Sequence, residues 1–448
     1  MSRAVFVGLL LMVSFVVRAA EPADTVMTLS RSACFGTCPD YRVEIHGNGE
    51  VTYQGDGFVL IPGTHHWHID PAAVAKLLEL FQRADYFNLK DRYEINASDL
   101  ATYETSLTVG GRHKSILDYG GSGMLGNAFA STSLGGGEDP HMPPIVTEIE
   151  HAIDEAAGTA TWVSGDAQTM DRLRAIKWNF RSKQGGEALL MLAADCNITL
   201  ARDFILAGAP VAVLGKGWVR GPAIALAARC NDVDLTRLFV SKGALNQPDA
   251  AEDFLWASVN SGYPEMVAIA LKYHPHVNIR NEDGEPLISH AASAYVMSEQ
   301  SAAGFDSARV VEMLIRRGAN PNARDKQGNT PLFEANEAAV ARALIAAGAN
   351  PNSRNALGRT PLFERYFDEV KKVLIESGAD VNARDKKDFT ALECVTSEDA
   401  VLMLLAAGAH LPDDPARLRA LTEEARKQKW TKVLTLIEPK QGRGQSDE

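Results

Sequence analysis

The sequence predicts a multidomain protein in which a small α+β N-terminal domain is followed by an all-α solenoid of repeated helical units. Gly-Ala pairs recur every thirty residues in the C-terminal part, ending at Ala319, Ala349, Ala379 and Ala409. The N-terminal part lacks this period and shows short stretches in which apolar and polar residues alternate. A repeat array would absorb much of the 448-residue length, which is too great for one ordinary core.

The first residues have the layout of a secretory signal peptide. Arg3 precedes an apolar run from Ala4 to Val17, and small residues around Ala19 suit cleavage. We therefore expect residues 1–20 to be removed and the mature protein to be periplasmic or secreted. Fourteen apolar residues are too few to cross a hydrocarbon core of roughly 30 Å. No stable membrane span is expected after removal, and an uncleaved anchor is the alternative.

The composition excludes two broad classes of protein. Hydrophobic residues make up 46% and charged residues 23%, which is typical of a folded soluble chain rather than a disordered or membrane-embedded one. The formal net charge of -12 argues against broad nucleic-acid binding, because such binding needs a basic face that neutralises phosphates. We expect no nucleic-acid partner.

Residues 24–158 are predicted to form the α+β domain. Alternation of apolar and polar residues on both sides of the turn at 47–49 predicts a hairpin, and a second hairpin is predicted over 102–119. Helices are predicted over 71–84 and 144–157, since a proline begins each and apolar residues recur at helical spacing. Strands interspersed with helices in this way are typical of an α+β domain.

The five cysteines are unevenly placed along the chain. Cys34 and Cys38 are close enough in sequence to form a small disulfide-closed loop in an oxidising compartment. A thiol-redox pair is the alternative, although such pairs usually have two intervening residues rather than three. Cys196, Cys230 and Cys394 lie in helical patterns, and we interpret them as small buried apolar side chains.

The sharpest metal candidate is the run from His65 to His68. On a strand, His66 and His68 would share a face and could offer two imidazole nitrogens to Zn²⁺ or Cu²⁺. No third ligand is indicated elsewhere. We therefore favour an ordinary polar strand face and predict no metal.

Residues 121–126 match the glycine spacing of a dinucleotide-binding loop. That loop functions only where a helix begins at once and holds the pyrophosphate on its N-terminus. Residues 127–140 are short, polar and interrupted by three consecutive glycines. We favour a flexible glycine-rich loop and predict no cofactor.

Each repeat of the C-terminal array contains a start and a stop for a helix. Thr-Pro-Leu at 330–332 and 360–362, and Thr-Ala-Leu at 390–392, suit a helix start, since the Thr hydroxyl can accept an unpaired backbone N–H. A Gly after an apolar run suits a helix end. Each unit is therefore predicted to be two short helices and a turn, which need neighbouring units to bury their apolar faces.

These residues resemble the ankyrin family. Thr-Pro-Leu opens the unit, Leu-Ile or Leu-Leu precedes Gly-Ala, and Asn-Pro-Asn or Asp-Val-Asn follows. The resemblance is strong over 278–410 and weaker upstream, with about seven units over 185–411. We place the solenoid at 161–438, with end caps at 166–180 and 418–437. A disordered tail over 439–448 is expected to follow.

Three features depart from the ankyrin pattern. The thirty-residue units are about three residues shorter than usual, and the shortening falls between their two helices. Phe333, Phe363 and Glu393 occupy the place where the family usually has His. An insertion over 293–307 is expected to form an exposed loop, and long loops in compact domains are often functional.

The ankyrin resemblance implies a solenoid that binds partner proteins through its turn tips and concave face, without catalysis. We therefore predict an exported adaptor or scaffold that is not an enzyme, and whose partner is another protein. The predicted contact residues lie at the turn tips and are Arg324, Lys326, Gln327, Asn355, Arg359, Lys386, Lys387 and Phe389.

The N-terminal domain carries a second resemblance. Its Cys-Phe-Gly-Thr-Cys-Pro segment at 34–39, with Arg31 before it and Tyr41 after it, resembles an uncharacterised family of exported bacterial domains. The resemblance names a domain without assigning an activity. A metal-dependent or thiol-redox activity of this domain, targeted by the repeats, is the alternative to the adaptor hypothesis.

Overall fold

The computed structural model describes nine stretches of the chain. These are residues 24–34, 38–94, 100–120, 142–215, 221–247, 249–274, 276–294, 305–364 and 368–441. The predicted signal peptide, the 121–126 glycine motif and most of the 293–307 insertion lie outside the described residues. Contacts divide the chain into two compact units, one ending at Trp178 and the next beginning at Asn179.

The first unit is built on a seven-stranded sheet in the order β4-β3-β2-β1-β6-β7-β5. The strands are β1 Val26–Arg31, β2 Asp40–His46, β3 Glu50–Gly57, β4 Gly63–His68, β5 Arg92–Glu94, β6 Thr102–Val109 and β7 Arg112–Tyr119. Both predicted hairpins are confirmed as the antiparallel pairs β2–β3 and β6–β7. The short edge strand β5 pairs in parallel with β7.

Strand β1, at the centre of the sheet, was not predicted. It pairs with β2 on one side and with β6 on the other. A loop rather than a tight turn joins it to β2, and β6 is distant in sequence. Met27, Leu29 and Arg31 point to the buried face and are at most 6% exposed. A single strand without an adjacent turn is hard to recognise in a sequence, because strand formation depends on packing and pairing with neighbouring strands.

Two helices, α1 Pro71–Arg83 and α2 Pro144–Ala157, cover the apolar face of the sheet. Both were predicted. Asp70 caps α1 by accepting the Ala72 N–H, and Pro71 occupies the first turn, where its missing N–H costs nothing. Val146 and Ile153 of α2 are fully buried against the strands. The predicted α+β architecture is therefore confirmed.

The first unit extends past the predicted domain end at residue 158. Two short helices, α3 Ala160–Val163 and α4 Thr169–Ala175, belong to it. Trp162 is 2% exposed and stacks on His65 with ring centroids 4.3 Å apart. The Ile61 N–H donates to its carbonyl at 2.9 Å. The first unit also includes the chain up to Trp178, whereas the sequence suggested that 166–180 cap the solenoid.

The second unit is a succession of paired helices. Its first eight helices are α5 Lys183–Ala194, α6 Ile198–Leu206, α7 Ala223–Ala228, α8 Val233–Ser241, α9 Ala250–Ser261, α10 Pro264–Tyr273, α11 Leu287–Ser293 and α12 Ser307–Arg316. A two-stranded ribbon, β8 Leu214–Gly215 and β9 Gly221–Pro222, precedes α7. The later helices are α13 Ala338–Ala346, α14 Asp368–Glu376, α15 Glu398–Ala406, α16 Pro415–Lys427 and α17 Thr431–Gln441.

The three thirty-residue units differ from the predicted helix pair. Their first helix is reduced to a 3₁₀ turn, at Pro331–Phe333, Pro361–Phe363 and Ala391–Glu393. The shorter length of these units, relative to the usual ankyrin repeat, thus corresponds mainly to a shortened first helix. The hydroxyls of Thr330 and Thr360 are buried without a hydrogen-bond partner among the described residues, so the predicted capping by these threonines is wrong.

The C-terminal cap is two helices rather than the single helix predicted over 418–437. Lys429, with φ of 60°, lies in the left-handed region and breaks the pattern between α16 and α17. Trp430 follows the break and is buried. Helix α17 runs to Gln441, which is past the predicted start of the tail at residue 439.

Cys196 and Cys230 form a disulfide, with 5.4 Å between their Cα atoms. The prediction that both are small buried apolar side chains is therefore wrong. They follow α5 and α7 and lie 34 residues apart, so they occupy equivalent positions in consecutive units. Stacking brings equivalent positions of neighbouring repeats close together. Cys394 is buried, as predicted.

Candidate functional site

Asparagines in equivalent positions tie each repeat to the next. In four successive units the side-chain N–H group donates to a glycine carbonyl at the end of the following helix, over 2.8 to 3.0 Å. The amide oxygen accepts a backbone N–H two residues beyond that glycine. The four asparagines are Asn278, Asn322, Asn352 and Asn382. The recurring asparagine in the sequence is therefore structural.

Arginines at the turns form a second row of such links. Nη1 of Arg280, Arg324 and Arg354 each donates to a glycine carbonyl in its own turn and to the carbonyl of the equivalent arginine in the next unit. For Arg324 both distances are 2.7 Å. Although predicted as a partner contact, Arg324 joins two turns of the array.

Asn355 and Arg359 are also engaged within the array. Asn355 donates to Asn329 of the preceding unit at 2.9 Å. Arg359 donates through Nε to the buried carboxylate of Asp385 at 3.1 Å. Burial alone would raise the pKa of Asp385, but hydrogen bonds from the Phe389 N–H and from Arg359 hold it below the ordinary value. Both residues therefore have hydrogen-bond partners within the array.

The other five predicted contact residues are exposed at the turn tips: Lys326, Gln327, Lys386, Lys387 and Phe389. The structure adds Leu357, which is 56% exposed and was not predicted. We call these six residues the tip surface. An apolar residue inside the Asn-Ala-Leu-Gly turn was the sequence feature that could have indicated it.

Backbone hydrogen bonds connect the tips to one another. The Ala356 N–H donates to the Gln327 carbonyl at 2.8 Å, and the Lys386 N–H donates to the Leu357 carbonyl at 2.9 Å. The guanidinium of Arg417 lies 4.6 Å from the centre of the Phe389 ring, which leaves that side chain 37% exposed. The tip surface is therefore one continuous, internally fixed row.

The first unit contains a separate cavity of about 600 Å³ beside helix α2. Arg31 at the end of β1 and Tyr41 at the start of β2 line one side, and Asp154 of α2 and Arg172 of α4 line others. Arg31 and Tyr41 are directly paired across the two strands, and the disulfide between Cys34 and Cys38 closes the loop that joins them. We call this the β1–α2 cavity.

Asp154 is held at the cavity by two hydroxyl groups. The Tyr41 hydroxyl donates to its carboxylate at 2.7 Å, and the Thr159 hydroxyl donates at 2.7 Å. Burial raises the pKa of Asp154, although these hydrogen bonds oppose the shift. Burial and the neighbouring Asp154 carboxylate raise the pKa of Tyr41 as well. The tyrosine is therefore a stable donor rather than a base.

Glu150 lies one turn before Asp154 on α2 and is 1% exposed. Burial raises its pKa to about 9, and the carboxyl groups of Asp118 and Asp154 add to the shift. Glu150 is therefore protonated near neutral pH. Sequence reasoning missed both acids, although their positions continue the buried stripe of Val146, Ile149 and Ile153, which is an unusual place for a carboxyl group.

The histidine run lies on the edge strand β4, as predicted. His66 and His68 are exposed on the same face, and Thr52 is hydrogen-bonded to His66 at 3.1 Å. His65 points the other way and stacks on Trp162. Among the described residues no three histidine, cysteine, aspartate or glutamate side chains lie close enough to hold a metal ion. The described residues therefore offer no third metal ligand beside His66 and His68.

Comparison with known proteins finds a family match in each part of the chain. Residues 25–130 match the family described as a domain of unknown function, DUF6438. Residues 299–385 match the family described as ankyrin repeats, three copies. The crystal structure of the human ASB11 ankyrin repeat domain is 20% identical over 50% of this chain and 98% of that chain, with a TM-score of 0.41. No curated protein gives a significant match.

Proposed function

We propose that this chain, with its ankyrin repeats after a domain of unknown function, is an exported adaptor that binds another protein through the tip surface. Ankyrin repeats are in general protein-interaction modules, and their fold is typically not catalytic. The observation that carries the proposal is the exposure of six neighbouring side chains in turns whose other polar groups are used within the array.

The chemistry of the tip surface selects one kind of partner. Lys326, Lys386 and Lys387 provide positive charge in a chain whose net charge is -12. Leu357 and Phe389 lie among them and expose apolar area. A cation row with apolar anchors fits an acidic segment that carries a hydrophobic side chain, since complementary charge steers association and buried anchors supply affinity.

The disulfide geometry supports export. Cys34–Cys38 and Cys196–Cys230 are both at disulfide distance, and structural disulfides persist mainly in oxidising compartments. No helix in the described part of the chain is long and apolar enough to cross a membrane. Denatured but unreduced protein from the native host should take up one maleimide, at Cys394. Labelling of all five cysteines would contradict export.

The binding proposal is tested by crosslinking and mass spectrometry on the envelope fraction of the native host. Full-length protein is compared with the Lys386→Glu, Lys387→Glu double variant and with Leu357→Ala. We expect both to lose the captured partner, the double variant more completely because two attractive charges become repulsive. The captured segment should be acidic.

The matched control is Lys372→Glu, which reverses an exposed charge on α14 of the same array but away from the turns. It should capture the partner as the unmodified protein does. Equal capture by all variants would place the partner elsewhere on the chain. Capture by the double variant but not by the control would overturn the proposal.

A further inference from the structure

Among the residues named as lining the β1–α2 cavity, the buried polar atoms that lack a hydrogen-bond partner are both guanidinium nitrogens. They are Nε of Arg31 and Nη1 of Arg172. A buried donor without a partner costs about 1–3 kcal/mol, and folded proteins rarely retain one without a reason. Two such donors in one cavity wall indicate that an acceptor belongs there.

Arg31 is the more deeply placed of the two. It is 6% exposed, and its guanidinium lies 5.0 Å from the centre of the Tyr103 ring. None of the ion pairs between described residues includes it. The charge of Arg31 is therefore held by an aromatic face and by distant carboxyl groups, without a direct anionic contact in this part of the chain.

Arg172 approaches the cavity from α4. Its Nη2 donates to Gln168 at 3.0 Å, while Nη1 remains without a partner. A Cβ atom on Gly158 would lie 3.2 Å from the guanidinium, so the glycine leaves room for this arrangement. Gly158 also has φ of 69°, which a residue with a side chain adopts with strain.

Asp154 and Asp166, two acids that line the cavity, do not supply the missing acceptor. The Tyr41 hydroxyl is shared between both carboxylate oxygens of Asp154, and one of them also accepts from the Thr159 hydroxyl. Asp166 accepts the Thr161 hydroxyl and the Gln168 N–H. Burial raises the pKa of Asp154 and of Glu150, which reduces the negative charge that would otherwise neutralise Arg31.

We propose that the β1–α2 cavity binds a small organic carboxylate, whose oxygens accept from Arg31 and Arg172. A guanidinium fork matches the planar geometry of a carboxylate. The volume of about 600 Å³ is in the range of small-ligand sites. Ala156, Ala160 and Val163 in the wall suit an apolar group attached to the carboxylate.

A singly charged anion fits this cavity better than a phosphate. Asp154, Glu155 and Asp166 also line it, and Glu150 lies nearby on the same helix. The two guanidiniums are thus opposed by at least as many acidic side chains, and a second negative charge on the ligand would gain no net attraction from the cavity wall. The carboxylate could belong to a free small molecule or to the C-terminus of a peptide, and the two sources share the same recognition.

The full-length protein is titrated with straight-chain carboxylates from acetate to octanoate, and with the corresponding amides, by saturation-transfer NMR. Trialanine with a free C-terminus and its C-terminal amide form the second arm, and inorganic phosphate the third. We expect at least one carboxylate series to saturate while its amides bind roughly tenfold more weakly or worse. Preference for the fatty acids indicates a free ligand, and preference for trialanine indicates a chain terminus.

The variants are Arg172→Gln and Arg31→Lys, with Arg174→Gln as the control. Arg174 lies on the same helix and is exposed, so its loss should leave carboxylate affinity unchanged. Each of the other two should weaken binding roughly tenfold. The Arg31 variant changes a buried residue and could fail to fold. Arg172 is only partly buried, so Arg172→Gln should fold and still tests the proposal.

Three results would overturn the proposal. Absence of saturable binding in both carboxylate arms would remove the ligand. Equal affinity for acids and amides, or for Arg172→Gln and the unmodified protein, would show that the guanidiniums do not recognise it. Tighter binding of inorganic phosphate than of every carboxylate would overturn the assigned ligand class.

Discussion

Arginines in the two compact units are used in opposite ways. In the repeat array, Arg280, Arg324 and Arg354 lie at the surface and donate to carbonyl groups of two successive turns. In the first unit, Arg31 and Arg172 have guanidinium nitrogens that are buried and without a partner among the described residues.

This difference separates structural polar groups from candidate functional ones. The array repeats the same asparagine and arginine hydrogen bonds from unit to unit. These bonds stabilise a scaffold whose turn tips remain exposed for binding. Buried hydroxyls without a partner occur in the array too, at Thr330 and Thr360, but in the first unit the unpaired atoms of Arg31 and Arg172 belong to charged groups, whose burial costs more and makes them candidates for ligand binding. The two proposals above follow from these two patterns.

The largest predicted effect concerns the protonated acid of the first unit. Because the pKa of Glu150 rises from 4.5 unfolded to about 9 folded, the folded state holds a proton that the unfolded chain releases. Its contribution to stability is full below about pH 4.5 and is lost as pH rises toward 9. Glu150→Gln should remove a slope of up to about 1.4 kcal/mol per pH unit.

Denaturant unfolding of both proteins across this window measures the difference. Glu148→Gln, an exposed change on the same helix, should leave the pH profile of the free energy of unfolding unchanged. Parallel profiles for Glu150→Gln and the unmodified protein would show that the buried carboxyl is ionised.

The next effect compares the two disulfides. Closing the 34-residue separation between Cys196 and Cys230 should stabilise the protein by roughly 4 kcal/mol in the loop-entropy description. The four-residue separation between Cys34 and Cys38 should contribute roughly 2 kcal/mol. Guanidinium unfolding of the two Cys→Ala double variants tests the order. A larger loss for the Cys34, Cys38 variant would mean that the small loop has a role beyond entropy.

A smaller effect is expected for one link of the asparagine row. Asn352→Ala removes a hydrogen bond to the Gly378 carbonyl and another from the Asp380 N–H. The free energy of unfolding should fall by about 1–2 kcal/mol. Gln327→Ala, an exposed change on the tip surface, should stay within about 0.5 kcal/mol of the unmodified protein. Equal effects would contradict the structural role of the asparagines.

The smallest effect distinguishes a satisfied hydroxyl from an orphaned one. Thr390 donates to the Glu393 carboxylate at 3.1 Å, while the Thr360 hydroxyl is buried without a partner. Thr390→Val should lower the melting temperature, at a cost of about 1 kcal/mol, whereas Thr360→Val should leave it unchanged or raise it. A loss for Thr360→Val would indicate a bound water at its hydroxyl.

Much of the array could be predicted because its evidence is repeated. The register of Thr-Pro-Leu or Thr-Ala-Leu, of Gly-Ala and of Asn was visible three or four times, so each element was supported by several copies. The 3₁₀ turns were missed because Pro331 and Pro361 suit the start of either helix type. The links of Arg324 within the array could not be predicted, because a turn arginine gives no indication of which carbonyl groups surround it.

The candidate cavity could not be predicted from the sequence either, because its residues come together only in the folded chain. Arg31 lies more than a hundred residues before Asp154 and Arg172, and no sequence pattern links the three. Only the pairing of β1 between β2 and β6, and the packing of α2 on that sheet, bring the first two together. The Cys-Phe-Gly-Thr-Cys-Pro segment lies between two cavity residues, Arg31 and Tyr41, but it gave no indication of the cavity.

The sequence by itself determined the repeating elements, because helix starts, helix ends and apolar spacing act within a few residues of one another. Tertiary structure alone decided the central position of β1, the bond between Cys196 and Cys230, and which polar groups are satisfied. Each of these depends on what distant segments bring within a few ångströms. Hydrogen bonding and desolvation act over that distance in space, whatever the separation along the chain.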